Sequence, residues 1–188
     1  IASDNHDLAG SFQEAFSNDY FRAYTSTDVI GVELGGALKN VVALASGMAS
    51  GMELGLNSSA GLITRGLHEI TRLAVNLGAD PDTLRGLSGM GDLILTCTGG
   101  LSRNRTVGEK IGSGEALDDI LDDMNMVAEG IKTSRSVYQL ANKYDVEMPI
   151  STQVYRILYE DSDPEKAVRE IMNRKLKPEH EGYPEIKG

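Results

Sequence analysis

The chain has 188 residues, 40% hydrophobic and 24% charged, the make-up of a folded globular protein and not of a disordered one. Its formal charge of -10, with acidic runs such as Asp118-Asp119-Ile120-Leu121-Asp122-Asp123, argues against a nucleic-acid binder and against docking on an anionic membrane. The single cysteine, Cys97, excludes an internal disulfide and three scattered histidines supply no zinc framework, so no metal is expected and a reducing cytoplasm is the natural location.

The chain opens on the polar stretch Ile1-Ala2-Ser3-Asp4-Asn5-His6-Asp7, which has neither the basic start nor the apolar core of a secretory signal and no initiator methionine. The expectation is a processed chain, or a fragment whose upstream part is missing. Residues 9–16 predict a short helix and residues 20–25 a short strand, after which strand signals nearly vanish and the pattern turns helical. In residues 30–52, Gly31, Gly35, Lys39 and Ala43 recur every four positions, so neighbouring members lie close on one helical face and leave room for another element. Gly47, Gly51 and Gly55 continue a small-xxx-small series. Glu33, Lys39 and Asn40 interrupt the stretch, and each ion would cost roughly 2.5 to 3.5 kcal/mol at a bilayer centre, so a buried soluble helix is expected and no integral membrane segment.

Lys39 asks for a reason, because desolvating an ammonium among Gly35-Gly36-Ala37-Leu38 and Val41-Val42-Ala43 costs free energy. Two readings stand: its stem packs while the amine reaches solvent, or the amine works as an acid/base group in a wet cleft.

A second helix is predicted over residues 58–77, with Leu62, Leu67, Ile70 and Leu73 in its apolar set. Within it, Leu67-His68-Glu69-Ile70-Thr71-Arg72 resembles a zinc-protease helix only superficially, since Arg72 stands where a second histidine is needed, and His68 reads as structural. Asp80-Pro81 supplies an N-cap and first-turn proline for a third helix. The stretch Ser88-Gly89-Met90-Gly91-Asp92-Leu93-Ile94-Leu95-Thr96-Cys97-Thr98 follows, its glycines allowing close backbone approach and its Asp92 and Thr96 spaced to share one helical face. Asp92 either orients the Lys39 amine, accepts a substrate hydroxyl, or caps the helix carrying Leu93 and Leu95. Cys97 reads as a small packing residue.

Gly99-Gly100-Leu101-Ser102-Arg103-Asn104-Arg105 delivers two arginines and an asparagine to a predicted helix start, where free N–H groups and a guanidinium suit a phosphate; a basic surface turn is the plainer alternative. Val127-Ala128-Glu129-Gly130 is weaker, since its carboxylate has capping to explain it. Further helices are predicted over residues 103–111, 130–144, 150–159 and 164–173, the last behind Asp163-Pro164. Residues 177–188 are polar with two prolines and read as a mobile tail. The organisation expected is a brief α/β lead-in over residues 1–28, a helical domain over 29–176 and the tail over 177–188.

Together, Gly31-Val32-Glu33-Leu34-Gly35-Gly36-Ala37-Leu38-Lys39-Asn40, Gly89-Met90-Gly91-Asp92-Leu93 with Thr96-Cys97-Thr98, and Ser102-Arg103-Asn104-Arg105 resemble the successive blocks of bacterial NAD(P)-dependent glycerol-3-phosphate dehydrogenases. The resemblance runs over residues 1–173. It implies a mainly α chain: a compact helical bundle similar to the C-terminal domain of 6-phosphogluconate dehydrogenase, preceded by a short α/β remnant of a Rossmann domain. No G-x-G-x-x-G follows an opening strand, so the main binding motif for NAD or NADP is absent from this chain.

By position, the resemblance makes Lys39 the proton donor and acceptor at the substrate's C2 oxygen. Asn40, Asp92 and Thr96 then hold the lysine or the substrate oxygens, and Ser102, Arg103 and Asn104 bind the substrate phosphate. Arg103, Val127 and Glu129 match residues that reach the cofactor. The implied reaction reduces dihydroxyacetone phosphate to sn-glycerol 3-phosphate for phospholipid synthesis, and a homodimer is compatible with it. Two rivals stand beside this reading. One is another reductase sharing the helical domain, such as a ketopantoate or 6-phosphogluconate reductase relative. The other is a helical module that self-associates through Gly47, Gly51 and Gly55.

Overall fold

The computed structural model describes residues 1–124 and 128–179. Among them the regular structure is helical, apart from one isolated parallel bridge between Ala2 and Ser26. Helix α1 (His6–Phe16) starts where the Asn5 side chain accepts the Leu8 N–H. The strand expected over residues 20–25 does not form. A strand needs a ladder, and here the local donors are taken by side chains: Asn18 Oδ1 accepts from Tyr20 and Phe21, and Ser17 Oγ accepts from Ala23.

Helix α2 (Val29–Gly51) is the axis of the bundle, packed by α3 (Gly55–Asn76), α5 (Asp92–Thr98), α6 (Arg103–Gly112), α8 (Glu129–Lys143) and α9 (Pro149–Tyr159). Asp28 caps it by accepting the Gly31 N–H at 2.8 Å. A helix enclosed on most sides must be apolar nearly all round, which explains why α2 is also long and apolar enough to cross a membrane by length and composition. Here Leu38, Val41, Val42, Leu44 and Met48 are spent on the core beside Ile70, Leu73, Val107, Val137 and Val154.

The glycine series is an internal contact. A Cβ on Gly47 would overlap the Arg105 carbonyl and one on Gly51 the Glu109 carbonyl; in return, Gly108 lies on the Leu44 carbonyl and Gly112 on the Met48 carbonyl. Helices α2 and α6 therefore touch backbone to backbone. Gly55 lies beyond α2 at φ +82° with nothing near its Cβ position. The self-association surface read from Gly47, Gly51 and Gly55 is thereby corrected, since α6 covers Gly47 and Gly51 and Gly55 lies off that face.

Asp80 and Asp163 cap α4 (Pro81–Arg85) and α10 (Pro164–Met172) as expected. A π-helical turn (Leu87–Gly91) joins α4 to α5, with Gly89 against the Leu84 carbonyl. Helix α7 (Leu117–Asp122) was not foreseen: its acidic run hides one fully buried apolar anchor, Ile120.

Glu69 of α3 is buried, yet it organises the far end of the bundle. Its carboxylate accepts the Ile150 N–H at 2.7 Å, the Ser151 N–H at 3.1 Å and the Ser151 hydroxyl at 3.0 Å, satisfying the first turn of α9. Burial outweighs these donors and pushes its carboxyl up to about 7.

Two predictions follow from this packing. Gly47→Ala should cost about 2 kcal/mol or more, lowering the melting temperature by roughly 4 to 8 °C, because backbone cannot yield to the added carbon. Gly61→Ala, on an exposed helical face with nothing within 4 Å, should instead stabilise by about 0.5 to 1 kcal/mol. Equal effects at both sites would contradict the close crossing. The second concerns pH. Since the folded carboxyl of Glu69 sits above its ordinary value, the folded state holds the extra proton, and this group's contribution is lost as pH rises from 4.5 to about 7. The melting temperature of wild type relative to Glu69→Gln should fall across that window and level off above it; a rise would show that the ionised carboxylate is the stabilising form.

Candidate active site

Four helices converge on one cavity of about 470 Å³. Helix α2 brings Lys39 and Asn40, α5 brings Leu95 and Thr96, the start of α6 brings Ser102, Arg103 and Asn104, and the first residue of α8 is Glu129. The glycine turn, Gly99, Gly100 and Leu101, forms a further wall.

Lys39 forms a salt bridge to Asp92 across residues far apart in sequence, and the two side chains are 22% and 34% exposed. The ammonium is thus neither sealed in the core nor free in solvent, and it faces a ligand-sized space. Asp92 is the first residue of α5 and makes no capping bond; the cap position is Gly91. The capping alternative for Asp92 is therefore corrected, its carboxylate being turned across to α2. The Thr96 hydroxyl donates to the Asp92 carbonyl at 2.6 Å and lies 3.4 Å from the carboxylate, holding that turn of α5 in place.

A polar chain links three helices beside this pair. The Gly130 N–H can only donate, so the oxygen of Asn104 faces it at 2.9 Å. The Asn104 amide nitrogen then donates to Asn40 Oδ1 at 3.0 Å. With its oxygen taken, the Asn40 NH₂ is the group left for a ligand. Asn104 itself is almost wholly buried, which leaves one amide N–H beyond its structural bonds.

Ser102 caps α6, its Oγ accepting the Arg105 N–H at 3.3 Å. Among the described residues, the N–H groups of Arg103 and Asn104 carry no partner, so the first turn of α6 presents two free donors beside an exposed guanidinium. The two arginines of the motif part company here. Arg103 lines the cavity, whereas Arg105 turns inward to Ser50 and Glu109 at 3.3 and 3.1 Å.

Glu129 makes no capping bond and stands exposed at the rim. Val127, also expected near a cofactor, lies outside the described residues. Cys97 is buried, and burial pushes its thiol up to about 12, which fits the packing role. Sequence reasoning missed Leu95, whose signal was its place three residues after Asp92, and the Gly130 N–H, which carries no sequence signal.

This arrangement can hold a small phosphate ester at the start of α6 while presenting an ammonium to an oxygen deeper in the cavity. A family model described as NAD-dependent glycerol-3-phosphate dehydrogenase C-terminus matches residues 28–169. A relative from Syntrophobacter fumaroxidans named glycerol-3-phosphate dehydrogenase [NAD(P)+] is 58% identical over 181 residues, 96% of this chain and 53% of its own length. One from Citrifermentans bemidjiense with the same name is 56% identical, covering 95% of this chain and 53% of its own. A crystal structure of glycerol-3-phosphate dehydrogenase from Coxiella burnetii superposes with a TM-score of 0.88 at 43% identity, over 92% of this chain and 53% of that one. The chain thus spans about half the length of the curated relatives it matches. Matched in sequence over most of its length and in fold over nearly all of it, the chain belongs to the family of NAD-dependent glycerol-3-phosphate dehydrogenase C-terminal domains.

Proposed function

We propose that this chain is the substrate-binding half of an NAD(P)-dependent glycerol-3-phosphate dehydrogenase, reducing dihydroxyacetone phosphate to sn-glycerol 3-phosphate in the cytoplasm for phospholipid synthesis. Residues 1–28 are then the end of a Rossmann domain and residues 29–176 the substrate domain; of the stretch expected as a tail, residues 180–188 lie outside the described residues. The observation that carries the reading is the Lys39–Asp92 pair set at the wall of a cavity whose other end is an anion-receptive helix start.

In this reading the substrate phosphate sits on the Arg103 guanidinium and the N–H groups of Arg103 and Asn104. The Asn40 NH₂, oriented by Asn104, donates to a substrate oxygen. Lys39 gives a proton to the C2 oxygen as negative charge develops there, so no free alkoxide forms, and returns to the ammonium from solvent. In the reverse direction the neutral amine takes the hydroxyl proton. Asp92 holds the amine over C2 through the salt bridge between them.

The residues present suit one edge of a nicotinamide cofactor. Arg103 at the cavity rim matches phosphate oxygens, and the exposed Glu129 carboxylate matches ribose hydroxyls. The cofactor, when bound, supplies the hydride to C2 or receives it.

Two outcomes test the assignment in the complete enzyme carrying this domain. Lys39→Met should leave the melting temperature within a few degrees of wild type and lower kcat by about 10²- to 10⁴-fold; turnover near the wild-type rate would remove Lys39 from the acid/base role. With the cofactor saturating, Arg103→Ala should lower kcat/KM for dihydroxyacetone phosphate by about 10- to 100-fold and leave unphosphorylated dihydroxyacetone nearly unaffected. Equal losses on both compounds would move Arg103 out of the phosphate site.

A further inference from the structure

A second cavity, of about 270 Å³, lies between α3, the first turn of α9 and the segment after α10, and shares no lining residue with the Lys39 cavity. Five cations line it, Arg65, Arg72, Arg174, Lys175 and Lys177, against the carboxylates of Glu69 and Glu147. In a chain of net charge -10 that concentration runs against the general balance.

The two carboxylates do not neutralise it. Glu69 faces the core side and is already engaged by the backbone of Ile150 and Ser151. Glu147 is the hub: Arg174 pairs with one of its oxygens, Lys177 approaches the other at 2.8 Å, and Arg72 lies 3.8 Å away while donating to the Glu147 carbonyl at 2.7 Å. The hydrogen bond from Lys177, with Arg174 and Arg72 behind it, holds the Glu147 carboxyl below the ordinary carboxylate range. One carboxylate thus gathers three cations. Among the described residues, Arg65 meets only the neutral Glu179 carbonyl, at 3.1 Å, and Lys175 has no partner. Arg72 and Arg174 keep just 17% and 29% of their side chains exposed, so solvent screens their mutual repulsion incompletely.

A second anion in the cavity would relieve that repulsion. Glu147 and the backbone already fix two guanidinium groups, so part of the ordering cost of binding is met before the ligand arrives. Planar guanidinium donors flanked by ammonium groups suit the oxygens of a phosphate better than a single carboxylate does. We propose that this cleft is a second anion site, distinct from the Lys39 cavity, which takes the phosphate group of a small phosphomonoester or of a lipid headgroup.

The test titrates the chain with inorganic phosphate at constant ionic strength and follows its backbone amide resonances. Saturable shifts are expected for residues 65–72 and 172–177, with a midpoint unchanged by Arg103→Ala. Arg174→Gln combined with Lys175→Gln should weaken that midpoint by about fivefold or more while leaving any response of residues 102–104 intact. Because Arg174 also braces Glu147, Lys175→Gln alone serves as the variant that touches no ion pair among the described residues, and about twofold weakening is expected from it. Pelleting with phosphatidic acid vesicles, against phosphatidylcholine controls, separates the sources. Capture that is lost in Lys175→Gln, without a response to free phosphate, assigns the group to a lipid headgroup. Absence of both saturable shifts and variant-sensitive capture overturns the proposal, and leaves the Lys39 site untouched because Arg103→Ala reports on that site separately.

Discussion

Helix α2 meets α6 through backbone, with Gly47 and Gly51 set against carbonyls of α6 and Gly108 and Gly112 set against carbonyls of α2. Side chains of any size would hold the two axes further apart. Lys39 lies about 12 Å along α2 from Gly47, and Arg103 opens α6 one turn and a half before Gly108. The depth of the glycine contact therefore fixes how far the ammonium stands from the start of α6, which is the span of the cavity between them. Core packing and site geometry are here one constraint.

Around that contact, polar groups fix orientation where hydrophobic packing cannot. The bonds from Gly130 to Asn104 and from Asn104 to Asn40 set the direction of two amides and tie α8 to both helices. The Ser46 hydroxyl donates to the Cys97 carbonyl at 3.2 Å and so anchors α5, the helix that carries Asp92, on α2. Farther away, Glu69 does for α9 what Asp28 does for α2, but from another helix and from inside the core. The charge distribution follows the same economy. An acidic chain keeps cations at the start of α6, where a phosphate ester fits the proposed chemistry, and in the cleft gathered by Glu147.

The sequence made Lys39 legible because a charge in a small, apolar run stands out, and Ser102-Arg103-Asn104 legible because a glycine turn before a helix exposes N–H groups. The pairing of Lys39 with Asp92 was legible only as one of three readings, since local pattern does not specify a contact between distant segments. The glycine series announced a close approach without naming the partner, and the missing half of that signal was Gly108 and Gly112 at matching spacing. Residues 20–25 have strand-like composition, yet a strand depends on a neighbour that composition does not supply. Helix α7 escaped notice because Ile120 is its one fully buried anchor among aspartates. Glu69 sat in plain view beside His68, but its donors come from α9, far along the chain.

The most direct measurement follows NADPH oxidation with dihydroxyacetone phosphate, comparing this chain alone with the chain joined to the remaining length of a curated relative, of which it spans about half. Oxidation that requires both the joined protein and the phosphorylated substrate is expected if the Lys39 cavity is the substrate site of a two-domain dehydrogenase. A joined protein that folds and binds NADPH yet shows no oxidation dependent on dihydroxyacetone phosphate would contradict that assignment.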